Sequence, residues 1–269
     1  MKAKYIDVHC HIQFDHFKED QVELIERMRA EGIVGILVGC DLESSTKAVA
    51  LAEQHEHLYA SIGLHPNNEE AEWYDAANYR ALAASPKVVA IGECGLDYFR
   101  PSEVNEKVKQ MQKNILNDQI ALAAELDKAL IIHSRPSKGT QDAYRDLVAI
   151  LAEAKSVHPN LRGDIHFFVG RIAEAEALIA LGFTVSFTAV VTFARDYDEV
   201  IRHVPLTSIL SETDSPYVAP KSRRGQRNDP LAVVDVVRTL AEVRGEDFET
   251  VRASVAQNAR RLFALPETA

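Results

Sequence analysis

The sequence predicts one α/β domain of the closed (β/α)8 TIM-barrel type over residues 1–269. Three observations lead there. Short apolar runs alternate with amphipathic segments eight times, the pattern of a parallel sheet with helical crossovers. The length of 269 residues suits one barrel of roughly 250. No glycine-rich dinucleotide fingerprint follows the first strand, which ranks an open doubly wound sheet second.

Tyr5 to His9 reads as the first strand. The first helix lies within Lys18 to Glu31, with Val22, Ile25 and Met28 on one face and Gly32 as its stop. Ile33 to Val38 is the second strand, and Asp41 or Ser44 caps a helix over Leu42 to Gln54. The third strand, Leu58 to Gly63, ends on Leu64-His65-Pro66, and a helix follows over Asp75 to Ala84. Lys87 to Ile91 is the fourth strand, ending on Gly92-Glu93-Cys94-Gly95-Leu96-Asp97. A long helix over Val104 to Glu125 leads to the fifth strand, Ala129 to Ile132, which ends on His133-Ser134-Arg135-Pro136. Thr140 to Ala154 is helical, and the strand Arg162 to Ile165 ends on His166. The helix Ile172 to Leu181 stops at Gly182, before the strand Phe183 to Phe187. A helix over Arg195 to His203 precedes the last strand, Ser208 to Leu210, which ends on Glu212-Thr213-Asp214-Ser215-Pro216. Helices over Leu231 to Val243 and Phe248 to Phe263 follow.

Composition narrows the function. The net charge of −10 argues against coating nucleic acid through an overall field, but leaves room for an enzyme that grips phosphate locally. No apolar run approaches the 18 or so residues of a membrane span. Three widely spaced cysteines, Cys10, Cys40 and Cys94, make no disulfide framework, and there is no room for a signal peptide before Asp7; we expect a cytoplasmic protein.

The chemistry sits at the strand ends. In Ile6-Asp7-Val8-His9-Cys10-His11, alternation along a strand puts Asp7, His9 and His11 on one face. Two imidazoles there can hold a cation, with Asp7 behind them as a hydrogen-bonding partner. His65, Glu93, His133, His166 and Asp214 fall at the same end of later strands, the end where barrels carry their active sites. Gathering that many ionisable groups without a cation would be costly.

These stretches resemble the TatD family of metal-dependent hydrolases, within the amidohydrolase-like barrels. The matching motifs are Asp7-Val8-His9-Cys10-His11, Gly63-Leu64-His65-Pro66, Gly92-Glu93-Cys94-Gly95-Leu96-Asp97-Tyr98, Ile132-His133-Ser134-Arg135, Ile165-His166-Phe167, Glu212-Thr213-Asp214-Ser215-Pro216-Tyr217 and Gly225-Gln226-Arg227-Asn228-Asp229-Pro230, in family order over nearly the whole chain. The resemblance implies one divalent cation on His9, His11, Glu93 and Asp214, and a second on Glu93, His133 and His166, with Glu93 bridging. Cys94, Asp229 and Phe167 depart from the usual family residues without removing a ligand; Cys94 reads as core packing rather than a ligand of a third site. The implied activity is a deoxyribonuclease trimming single-stranded DNA from a 3′ end. The alternatives are a deacylase, for example of D-aminoacyl-tRNA, or a small-molecule phosphoesterase on the same centre.

Residue chemistry agrees. Two cations about 3.5–4 Å apart can clamp an in-line displacement at phosphorus. Asp214 can take the proton of the attacking water, so Asp214 and Glu93 are the expected catalytic pair. Four imidazoles suit zinc or manganese better than magnesium. Lys221, Arg223, Arg224 and Arg227 form the most basic short stretch, and His65, Arg135 and Arg227 are the expected substrate contacts. Asp97 either orients a ligand or caps the next turn. Trp73, Tyr98 and Phe99 offer either a stacking face for a base or packing under the loops.

Overall fold

The computed structural model describes residues 3–68, 74–100 and 105–266. Eight strands form one sheet in the order β1 (Tyr5–Cys10), β2 (Ile33–Val38), β3 (Leu58–Ile62), β4 (Val88–Asp97), β5 (Ala129–Arg135), β6 (Gly163–His166), β7 (Thr184–Phe187) and β8 (Ile209–Ser211). All paired neighbours are parallel. The segment after β8 closes the ring against β1: the Asp214 N–H donates to the His9 carbonyl at 2.9 Å and the His11 N–H to the Ser215 carbonyl at 2.8 Å. The barrel is therefore that of the sequence reading.

Outside it run α1 (Gln21–Glu31), α2 (Leu42–Glu53), α3 (Ala76–Leu82), α4 (Glu106–Glu125), α5 (Asp142–Val157), α6 (Ile172–Ala180), α7 (Asp198–His203), α8 (Val233–Arg244) and α9 (Phe248–Phe263). Gly32 ends α1 in the left-handed conformation, and Asp41 caps α2 in a capping box with Ser44. Three details differ from the sequence reading. Val22 is 75% exposed, and Leu24, Ile25 and Met28 make the buried face of α1. The stretch before α7 is a short 3-10 turn, Arg195–Tyr197. β4 and β5 run on to Asp97 and Arg135, so Glu93 and His133 lie inside strands rather than beyond them. No described helix is long and apolar enough to cross a membrane.

Two apolar layers hold the barrel. Ile6, Val8, Val34, Ile36, Tyr59, Ile131 and Leu210 fill its interior, with Ala256, Ala259 and Phe263 of α9 packed on them. Leu37, Ile62, Leu130, Ile132 and Ile165 face outward onto the helices. The ladder slips at three places, one of them between Ala60 and Ser61, and the other two carry the site residues His9 and Glu93. Between Asp7 and Cys10, and again between Ile91 and Cys94, one strand advances three residues while its neighbour advances two. Such bulges reset side-chain direction. The second of these needs glycine: a Cβ on Gly92, at φ +151°, would sit 2.4 Å from the Ile131 carbonyl oxygen.

Candidate metal centre

His9 and His11 leave the end of β1, Glu93 the middle of β4, His133 the end of β5, His166 the end of β6, and Asp214 the segment after β8. Five of them, with His65, line a cavity of about 680 Å3 at the strand C-terminal mouth, and His9 is buried beneath it. Glu93 lies at the middle. Its Oε1 is 3.0 Å from His133 Nδ1 and 3.3 Å from both His166 Nε2 and His65 Nε2. Its Oε2 is 3.4 Å from His9 Nε2. His11 Nε2 lies 3.1 Å from His9 Nε2 and 3.5 Å from Asp214 Oδ1. One carboxylate thus turns its two oxygens toward two imidazole groups, and His9, His11 and Glu93 lie close enough to share an ion.

The far nitrogens show which rings fit a cation. His11 Nδ1 faces the Val38 carbonyl at 2.7 Å, His133 Nε2 faces Asp97 Oδ2 at 3.1 Å, and His166 Nδ1 faces Glu212 Oε1 at 3.2 Å. Those oxygens only accept, so each ring carries its proton on that side when neutral and presents a lone pair to the centre. Lone pairs facing the Glu93 carboxylate repel unless a cation or further protons lie between them, so the donor set fits a metal. His65 is different. Its Nδ1 accepts the Asn67 N–H at 3.0 Å, so the neutral ring holds its proton on Nε2 and donates toward Glu93. His65 stands close enough to Glu93 and His133 for a shared ion, but its hydrogen bonding is that of a donor into the cavity, not a ligand.

Electrostatics follow the same lines. Burial pushes the Glu93 carboxyl up, but the surrounding His65, His166, His9 and His133 outweigh it and hold the pKa well below the usual range. Asp214 is likewise lowered, burial being overcome by His11, His166 and His9. Burial opposes the charged form of His166, yet Glu212 and Glu93 raise its pKa well above the usual imidazole value. Phe167, Asp214 and Val218 all line the cavity with φ of 47°, 52° and 49°. Left-handed backbone at non-glycine residues, one of them β-branched, marks a site held in strain by its surroundings.

Other residues fall where the sequence could not place them. Asp7 does not back the imidazoles: its carboxylate accepts the Thr213 N–H at 2.9 Å and the Thr213 hydroxyl at 2.6 Å. The bulge in β1 breaks the alternation on which that expectation rests. Asp97 fills both roles left open, one oxygen on His133 and the other accepting the Phe99 and Arg100 N–H groups at 2.9 Å. Arg135 lines the cavity and lies over the Phe99 ring at 4.2 Å. Arg227 does not line it. Its guanidinium meets both oxygens of Asp20 and the His16 carbonyl. Arg223 pairs with Asp229 at 2.6 Å, and Arg224 lies over Phe193 at 4.0 Å. Tyr98 is buried with its hydroxyl on Asp146, whereas Phe99 is 48% exposed; Trp73 lies outside the described residues. Cys94 is wholly buried in the outer apolar layer, as packing requires.

The sequence alone assigns no role to Glu212, Asp164, Cys40 or Arg100. Arg100 and Cys40 line the cavity, and the Cys40 thiol is 3.8 Å from Glu93. Asp164, raised to about 7 by burial and by the charge of Glu212, accepts from the Ser186 and Thr184 hydroxyls beneath His166. A second carboxylate in the Glu212-Thr213-Asp214 motif is the available signal for Glu212.

Comparison with known proteins agrees with this geometry. A family model described as TatD related DNase matches residues 6–264. A Bacillus subtilis protein named as an uncharacterized metal-dependent hydrolase, YabD, is 36% identical, with 96% of this chain and 98% of that one covered. An Erwinia amylovora protein named 3′-5′ ssDNA/RNA exonuclease TatD is 34% identical over 96% of this chain and 99% of its own. The crystal structure of YjjV, a TatD homologue from Escherichia coli K12, superposes with a TM-score of 0.87 at 29% identity, covering 99% of this chain and 100% of that one. The barrel, the converging imidazoles and carboxylates, and a match across nearly the whole chain lead to one conclusion: this protein belongs to the TatD-related DNase family, a family of metal-dependent hydrolases.

Proposed function

We propose that the protein is a phosphodiesterase that trims single-stranded DNA from a 3′ end, using two divalent cations at the mouth of a single-domain barrel. The observation that carries the reading is the cavity itself. It combines the Glu93-centred donor set with two arginines, Arg100 and Arg135, and opens beside the exposed faces of Phe99 and Tyr217. Cations and aromatic faces suit a phosphate chain and its unstacked bases. The Erwinia amylovora relative's name supports the same substrate class and extends it to RNA. A net charge of −10 fits an enzyme that grips a strand end rather than a duplex.

His9, His11, Glu93 and Asp214 would hold one cation, and Glu93, His133 and His166 the other; imidazole donors favour zinc or manganese over magnesium. Bound there, such cations supply Lewis acidity to the phosphoryl oxygens and lower the pKa of water. Asp214, held ionised by the histidines, takes the proton of the attacking water. His65 donates its Nε2 proton to a substrate oxygen, and Arg135 pairs with a phosphate. The free thiols of Cys10, Cys40 and Cys94 fit a reducing, cytoplasmic setting.

The test is a panel on metal-reconstituted protein: single-stranded DNA labelled at either end, duplex DNA, RNA and acylated tRNA. Stepwise shortening of the single strand from its 3′ end is expected. Cleavage of acylated tRNA with no DNA hydrolysis under any metal would replace the nuclease reading with the deacylase one.

A further inference from the structure

Two carboxylates, not one, join the halves of the centre. His9 and His166 belong to different ligand sets, yet their rings stack with centroids 3.7 Å apart and planes 21° apart. On one side both Nε2 atoms face Glu93, at 3.4 Å from Oε2 and 3.3 Å from Oε1. On the other side both Nδ1 atoms face Glu212, at 4.0 Å from Oε2 and 3.2 Å from Oε1. Glu212 is wholly buried and held in place independently: Oε1 accepts the Phe167 N–H at 2.7 Å and Oε2 the Ser186 hydroxyl at 3.0 Å. His9 Nδ1 has no hydrogen-bond partner among the described residues, and Glu212 is the carboxylate it faces.

We propose that Glu212 is a positioning residue that fixes His9 and His166 from behind and so couples the two metal positions without touching either ion. The inference rests on the metal-centre reading. Its physical basis is that a carboxylate behind a ligating imidazole sets which nitrogen bears the proton and how the ring is turned, and raises its basicity. For His166 that bond is formed in the structure. For His9 the Glu212 carboxylate stands 4.0 Å from Nδ1, while Nε2 lies 3.1 Å from His11 Nε2 and 3.8 Å from Asp214 Oδ1. A buried carboxylate without such partners would be costly, so its place between two ring nitrogens calls for a function.

The substitution Glu212→Gln separates its two oxygens. The Phe167 N–H keeps the amide oxygen at the Oε1 position, where His166 can still donate to it. The amide NH2 then stands where Oε2 faced His9, and His9 loses its acceptor. Metal-stripped wild type, Glu212→Gln and Ser186→Ala are titrated with Mn2+ calorimetrically, and with Co2+ while the visible absorption is followed. Wild type should take two ions. In Glu212→Gln one should weaken by roughly 10- to 100-fold, the other by only a few-fold, and the Co2+ band of the weakened site should move. Ser186→Ala, which loosens Oε2 without removing it, should show the same pattern more weakly, and it carries the test if Glu212→Gln does not fold. Wild-type affinities and spectra in folded variants would overturn the inference, whatever their melting temperatures. Failure of the wild type itself to bind metal would instead overturn the metal-centre reading, and this inference with it.

Discussion

At the strand ends, His9, His11, Glu93, His133, His166 and Asp214 turn their polar atoms toward one cavity, whereas the loop from Lys221 to Arg227 turns its guanidinium groups back onto the protein. Both stretches are dense in charge and both follow barrel strands. The difference lies in what sets direction. A strand fixes which way each side chain points, and eight parallel strands bring their C-terminal ends to one rim. A loop gives no such constraint, so its long cationic side chains settle on the nearest anions and rings: Asp229, Asp20, Phe193 and Phe17. A charge cluster is therefore a site when the backbone forces convergence, and a set of braces when it does not.

The largest expected effect tests the converging side. Glu93→Ala removes the carboxylate that the two proposed ligand sets share, so both metal positions should empty together, by elemental analysis after dialysis. Metals contribute several kcal/mol of transition-state stabilisation, so kcat/KM on single-stranded DNA should fall at least about 10³-fold. Chelation of the wild type should reproduce the loss, and added Mn2+ should restore the wild type alone. A variant that keeps one ion at full affinity would show that the sets are independent and break the convergence argument.

An intermediate effect belongs to the arginines that do line the cavity. Arg135→Ala or Arg100→Ala removes a charged hydrogen-bonding group worth about 1.5–3 kcal/mol, so KM for single-stranded DNA should rise roughly 10- to 100-fold. The salt dependence of binding should flatten by about 0.7 in slope for each phosphate no longer gripped. Hydrolysis of a small chromogenic phosphodiester should stay near the wild-type rate, since it needs the centre but not the grip. Equal losses on both substrates would assign these arginines to the centre or to the fold.

What is legible in the sequence follows the same division. The strands and the convergence of their terminal residues can be read because period and position dictate them. Asp7 defeats that reading because one extra residue in β1 reverses side-chain direction, and nothing in Ile6-Asp7-Val8-His9 announces a bulge. Glu212 is visible in its motif without a visible task, since its partners His166, Phe167 and Ser186 come from β6, β7 and the turn between them. Arg227 resembles a phosphate contact in the sequence because its partner Asp20 lies 207 residues away in the chain.

The smallest expected effect is at Arg227, and it separates a brace from a substrate contact. Its guanidinium joins the Asp20 carboxylate, stays out of the cavity lining, and lies 4.4 Å above the Phe17 ring, tying the turn after β1 to the loop after β8. With 35% and 41% of the two side chains exposed, water screens the pair; such pairs contribute about 0.2–1 kcal/mol. Arg227→Ala should lower Tm by roughly 1–3 °C and leave KM for single-stranded DNA within about twofold of wild type. The pH dependence sharpens this. Hydrogen bonding to Arg227 holds the Asp20 carboxyl below its usual value. A carboxylate depressed in the folded state adds stability that is full above its unfolded pKa of about 3.9 and is lost as the pH falls through the lower folded value. The Tm difference between wild type and Arg227→Ala should therefore be full at neutral pH and shrink only below about pH 4. Asp20→Asn should reproduce most of it at neutral pH. A tenfold rise in KM with an unchanged Tm would return Arg227 to the substrate path and remove the contrast between the loop and the strand ends.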